Sequence, residues 1–100
     1  MSKQPSFLFH DPPGLAVWST RGIMEMTEPI LEVLHEDNGD WQFLPGRRVE
    51  LGEGVVLHLA HIVERHPEVR ELADLPRGWG AERDSVDAAW VRYRLEEAPK

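Results

Sequence analysis

The stretch His35-Glu36-Asp37-Asn38-Gly39-Asp40-Trp41-Gln42-Phe43-Leu44 decides how this chain folds. Asn38-Gly39 is the strongest short-range hairpin signal a sequence offers, because both residues tolerate the positive φ of a type I′ turn. Centring the turn there sets Asp37 opposite Asp40, Glu36 opposite Trp41, Leu34 opposite Phe43 and Val33 opposite Leu44. One face of the hairpin then carries Leu34, Trp41 and Phe43, an apolar set fit to meet a core. The tip also gathers Glu36, Asp37 and Asp40, which makes it the first candidate for a site.

Working outward, residues 30–35 read as the first hairpin strand. Residues 15–20, LAVWST, read as an earlier strand whose faces divide into Leu15/Val17/Ser19 and Ala16/Trp18/Thr20. Thr20 can cap a short helical turn, RGIMEM, that ends before Pro29. Residues 1–14 read as an extended entry, since Pro12 and Pro13 lack amide donors. After the hairpin, residues 45–54 hold three glycines and read as a loop. In the run that follows, Val56, Leu59, Ala60, Ile62 and Val63 gather on one side of a helical wheel, which predicts an amphipathic helix over residues 57–66. Pro67 stops it or opens a second helical turn with Val69, Leu72, Ala73 and Leu75 as its apolar set. Residues 79–84 read as another strand. Asp84 or Ser85 can cap a last helix, VDAAWVRYRL, before a flexible tail over residues 96–100. The expectation is a single α+β domain over residues 15–95, an antiparallel sheet with a central β-hairpin packed against one or two helices.

The bulk properties narrow the function classes. One hundred residues with 41% hydrophobic content suffice for one domain with its own core. There is no cysteine, which removes disulfides, thiolate metal sites and cysteine nucleophiles together and suits a reducing cytosol. The N-terminal apolar patch covers only residues 7–9, short of the roughly 7–15 a signal peptide needs. No segment approaches the ~18 apolar residues of a membrane span, so a soluble cytoplasmic protein is expected. A net charge of −7 and a pI near 5.1 argue against nucleic acid, whose phosphates call for Lys and Arg. The same charge fits attraction to a basic protein surface.

Motifs for chemistry are sparse. Placing Gly39 sixth in an EF-hand loop puts Leu34 first and Pro45 twelfth, and neither side chain can ligate calcium. His58 and His61 stand three apart, but Leu59 and Ala60 lie between them where a zincin carries its glutamate base. Ser6, Ser19 and Ser85 sit in no G-x-S-x-G elbow, and no glycine-rich segment leads into Lys-Ser or Lys-Thr. Acids are too common here for Glu32, Glu36 and Asp37 to be promoted on number alone. Four tryptophans are dense for this length, and most should be core. Trp79, between Gly78 and Gly80, is the first to consider as an exposed binding residue.

Trp41 and Phe43 after the acidic tip, Pro67 closing the helix, and Leu75, Pro76, Gly78, Ala81 and Arg83 in an L-P-x-G-x-x-A-x-R segment carry a resemblance. Across residues 16–90 the chain resembles a bacterial family of unknown function grouped with immunity proteins of polymorphic toxin systems, the immunity protein thirty-three type. That resemblance implies a protein that binds and blocks a toxin, and it brings no catalytic residues with it. The expectation is a non-enzymatic domain that presents Glu36, Asp37 and Asp40, with Trp79, to a basic toxin, using no metal and no cofactor. Arg83 is expected to anchor structure by pairing with a carboxylate. Two alternatives stand beside it: an accessory domain self-associating through a strand edge, homodimer included, and a metal-assisted hydrolase built on His58 and His61.

Overall fold

The structure, a computed structural model, describes residues 8–95. The first half of the N-terminal segment and the whole of the 96–100 tail lie outside the described residues. Valine, tryptophan and threonine favour extended backbone, and they build β1 (Ala16–Thr20). Thr20 ends it and caps α1 (Arg21–Met24), its hydroxyl accepting from the Ile23 amide at 3.4 Å. The hairpin strands are β2 (Glu32–His35) and β3 (Trp41–Leu44). A 3-10 helix over Leu51–Glu53 leads into β4 (Gly54–His58), and α2 (Leu59–Arg65) follows without a break. Pro67 opens a second 3-10 helix, Pro67–Leu72, then come β5 (Trp79–Glu82) and β6 (Val91–Arg94).

The six strands form one sheet in the order β4-β1-β3-β2-β5-β6, parallel only between β1 and β3. This is the expected α+β architecture, with the hairpin at its centre. The helices cover one face. Beneath them Val17, Val33, Trp41, Phe43 and Ala81 from the strands meet Ile23, Leu59, Ile62 and Leu72, all buried. Phe9, from the segment before β1, belongs to the same core and meets Trp41 edge-on at 5.2 Å. Asp11 accepts from the Trp41 indole N–H at 2.8 Å, which ties that segment down. Deeper in, Ser19 Oγ donates to the Phe43 carbonyl at 2.8 Å across the β1–β3 seam.

Three expectations are corrected. The hairpin register is one residue away from the predicted one: His35 pairs Trp41, Leu34 pairs Gln42, and Val33 pairs Phe43. The Gly39 amide donates to the Glu36 carbonyl and the Glu36 amide to the Asp40 carbonyl, and among residues 37–39 only Gly39 has positive φ, at 97°. That is a three-residue loop, a type I turn completed by a left-handed glycine, rather than a two-residue type I′ turn. One residue of slip exchanges the faces, so Val33 and His35 join Trp41 and Phe43 inside while Leu34 turns to the open side.

The second correction is at residues 54–58, which form a strand where the sequence predicts a loop up to residue 54 and a helix from residue 57. Val55 and Leu57 alternate with exposed neighbours, a period of two that a helical wheel also accommodates over so short a run. The third concerns residues 91–94, which form β6 and not a helix. Val91 and Tyr93 face Glu82 and Gly80 on the open side, while Arg92 reaches Asp74 at 2.7 Å and the Glu71 carbonyl at 3.0 Å on the other.

Arg83 is buried just after β5. It donates twice to the Ile30 carbonyl, at 2.9 and 3.2 Å, and once to the Val86 carbonyl at 3.3 Å. It also pairs with Glu68 at 3.2 Å and lies 4.2 Å from the centre of the Trp90 ring. Among the described residues no helix is long and apolar enough to cross a membrane.

Candidate functional site

The hairpin tip is tied together by bonds within the turn. Asn38 Oδ1 accepts from the Asp40 amide at 2.9 Å, and its Nδ2 donates to the Asp40 carboxylate at 3.1 Å. These local bonds are what Asn offers a turn. The Arg77 guanidinium lies against Gly39, close enough that a Cβ there would sit 3.0 Å from it. Asp37 and Asp40 are exposed, Glu36 is half-buried, and Gln42 of β3 donates to the Glu36 carboxylate.

The tip is joined to the neighbouring strand β5 by Gly78, just before it, whose amide donates to the His35 carbonyl at 2.7 Å. Gly78 has φ of 84°, and a Cβ there would fall 2.7 Å from Asp37 Oδ1. Glycine is therefore needed twice over, for its backbone angle and for the carboxylate beside it. The Leu95 amide donates to the Gly78 carbonyl at 2.8 Å and brings Leu95 next to the acids. Glu36, Asp37, Asn38, Leu34, Gln42 and Leu95 line a shallow open groove of about 530 Å³.

Glu36, Asp37 and Asp40 are thus brought together at one end of the sheet. Trp79 is not beside them: it pairs with His35 on the helix-covered side and packs half-buried against the core. The exposed tryptophan is Trp18, 52% accessible on the open face of β1, opposite the equally exposed Val56. The split of LAVWST into two faces held that signal, but nothing in the stretch said which face would be left uncovered.

The open face also carries Tyr93, whose hydroxyl donates to Glu32 at 3.0 Å. Burial and that neighbouring carboxylate push the phenol above its ordinary range. A separate ion cluster surrounds Arg47, which binds Glu28 at 2.7 Å and Glu53 at 2.6 Å. The hydrogen bonds from Arg47 hold Glu28 below the usual carboxylate range and bring Glu53 down to about 2. Every member is partly exposed, so the cluster secures the long connection between β3 and β4 and is not a buried reaction centre.

The His58 and His61 rings lie 5.7 Å apart, nearly parallel and both exposed. His58 ends β4 and His61 sits in the first turn of α2, so the pair straddles two elements. Among the described residues no group of three or more His, Asp or Glu converges on a common point. The buried histidines are His35 and His66. His35 is fixed by an Nδ1 contact of 2.7 Å to the Leu75 carbonyl and by stacking on Trp41 at 3.8 Å, and His66 by Nε2 at 3.0 Å from the Ile23 carbonyl. Each ring braces two distant segments through a backbone oxygen.

No family model matches this chain, and neither a curated protein nor a solved structure matches it.

Proposed function

We propose that this chain is a cytoplasmic, non-enzymatic protein-binding domain of the bacterial immunity type, and that it neutralises a toxin by seating the hairpin tip on a basic surface. The observation that carries this reading is the tip itself: Asp37 and Asp40 exposed, and Glu36 beside a shallow groove, on a turn braced by Asn38. A braced turn holds its carboxylates in place before contact, so little ordering entropy is lost on binding. The net charge of −7 adds long-range attraction for a cationic partner. Leu34 and Leu95 supply apolar contact next to the charges, the mixture that protein interfaces favour. The toxin as partner class comes from the family resemblance described above.

The test is to capture the partner from the native host with the full chain, identify it by mass spectrometry, and titrate it calorimetrically. Asp37→Lys with Asp40→Lys should weaken binding about 100-fold while the melting temperature falls by only a few degrees, because Asp37 is exposed and Asp40 gives up one exposed bond from Asn38. Unaltered binding would take the hairpin out of the interface.

A further inference from the structure

The two edges of the sheet are guarded unequally. β6 places Arg92 and Arg94 on its edge, and charge there discourages pairing with another chain. β4, Gly-Val-Val-Leu-His, has no proline and no Asp, Glu, Lys or Arg, and its pairs with β1 run from Gly54 to His58 without a bulge. Among the described residues, neither proline, nor a charged side chain, nor a bulge protects this edge.

One hydrogen bond shows which backbone groups of β4 face outward. The Leu59 amide donates to the Leu15 carbonyl at 2.8 Å, which continues the β1–β4 register by one pair. In an antiparallel ladder, bonded and non-bonded pairs alternate. Val55 and Leu57 therefore turn their amides and carbonyls towards β1, and Gly54, Val56 and His58 turn theirs to the open edge. The His58 carbonyl, at the N-cap position, opens the α2 ladder, so its outward contribution is the N–H.

The surroundings on both sides of that edge are apolar. On the open face stand Trp18 and Val56, 52% and 57% exposed, and Leu51 is exposed in the turn that leads in. On the helix side Leu57 lines a groove with Ile23, Met24 and Ile62. An added strand with alternating side chains would reach both.

We propose that the occupant is a second copy of this chain, the two β4 strands pairing antiparallel about Val56 so that the sheet runs on through both copies. That register sets Val56 opposite Val56, Val55 opposite Leu57, and Gly54 opposite His58. It returns the outward-facing set onto itself, so the central valines exchange two backbone hydrogen bonds and the Gly54–His58 pairs extend the ladder either way. A two-fold centred on Val55 or Leu57 would instead oppose backbone groups already bonded to β1. The facing residues Gly54 to His58 include no Asp, Glu, Lys or Arg, and the register sets Glu50 and Glu53 beyond the far end of the other β4, so two acidic chains meet along a seam where no acid opposes an acid. The proposal is independent of the hairpin tip, which stays free in such a dimer.

Amide exchange followed by NMR on the full chain at rising concentration, with sedimentation velocity alongside, tests it. The expected result is a dimer in which the Val56 amide exchanges about tenfold more slowly as concentration rises, while Val55 and Leu57 do not change. Val56→Lys, at a half-exposed position, should keep the fold and its melting temperature yet raise the dimer Kd at least about tenfold. Val91→Lys, equally exposed on the opposite edge, should leave it unchanged. A chain monomeric to ~1 mM, as an edge reserved for a foreign peptide would give, overturns the proposal. A dimer indifferent to Val56→Lys, or one broken by Val91→Lys, overturns it as well.

Discussion

Tyr93 of β6 lies directly over Gly80 of β5, its cross-strand partner, so closely that a Cβ at residue 80 would stand 2.7 Å from the ring. Glycine in a strand interior usually weakens it, unless something must approach the backbone. Here the ring occupies the space of the missing side chain, and its hydroxyl reaches across to Glu32 on β2. The contact staples an edge strand to the centre of the sheet.

Gly80→Ala should displace that ring and cost about 1–3 kcal/mol in urea unfolding, the ordinary range for overpacking. Tyr93→Phe, which removes only the hydroxyl bond, should cost about 1 kcal/mol. The decisive measurement is a double-mutant cycle with Tyr93→Ala. If the penalty at residue 80 comes from the ring, it should largely vanish in that background. A penalty of equal size in both backgrounds would place its origin in the backbone.

The turn makes a sharper claim. Gly39 sits at φ of 97° with Arg77 against it, while Asn38 stays at negative φ. Gly39→Ala should therefore cost about 1–2 kcal/mol, the penalty for a left-handed L-residue. Asn38→Ala loses only its exposed bonds to Asp40, about 0.5–1 kcal/mol. A type I′ turn would make both positions sensitive to backbone strain. Equal, large penalties at the two sites would restore it.

That turn also shows why the sequence is legible only in part. The Asn-Gly pair marks a hairpin, and the hairpin is there; whether two or three residues form the loop is decided by the register of the flanking strands, which sets Val33 against Phe43 and leaves only Gly39 at positive φ. The alternation in LAVWST and the Thr20 cap are local, and both are readable. Residues 54–58 are not, because three apolar residues in a row, Val55 to Leu57, satisfy either period and only the pairing with β1 decides between them. VRYR hides its period of two behind arginines, and the partners of Arg92, Asp74 and the Glu71 carbonyl, belong to a separate part of the chain.

The site divides in the same way. Which residues are acidic at the tip is plain from composition and turn chemistry. That Glu36 and Asp37 share a groove with Leu95 follows from β6 folding back across β5, which a helical reading of residues 86–95 conceals. Trp79 illustrates the opposite error: flanking glycines suggest exposure, yet pairing with His35 turns the indole towards the core.

Arg83 links elements that no local signal connects. Its fork holds the Ile30 carbonyl before β2, its remaining contacts reach Val86 and Glu68, and Trp90 covers it. Lysine keeps the charge but loses the planar fork and the stacking. Arg83→Lys should cost about 2–4 kcal/mol, with the buried Ile30 carbonyl left short of donors. Equilibrium denaturation checks it. A loss below about 0.5 kcal/mol, typical of a surface change, would mean that the fork is not needed.

The Arg47 cluster gives a pH dependence of definite sign. Hydrogen bonds from Arg47, then one from the Glu50 amide, bring the Glu53 carboxyl from 4.5 down to about 2 in the folded protein. A group depressed on folding adds stability that is fully present above its unfolded value and is lost as pH falls through its folded one. The contribution of Glu53 is therefore whole above about 4.5 and gone below about 2. Glu53→Gln should melt below the wild type at neutral pH, and the gap should close across that window. Raising the salt should narrow it at neutral pH, since the carboxylate is exposed to screening. Thermal melts of both proteins over the same pH series isolate this one group from the other carboxylates that titrate there. A gap that keeps its full size down to pH 2 would show that Glu53 acts through packing at its position, with the charge of its carboxylate contributing nothing.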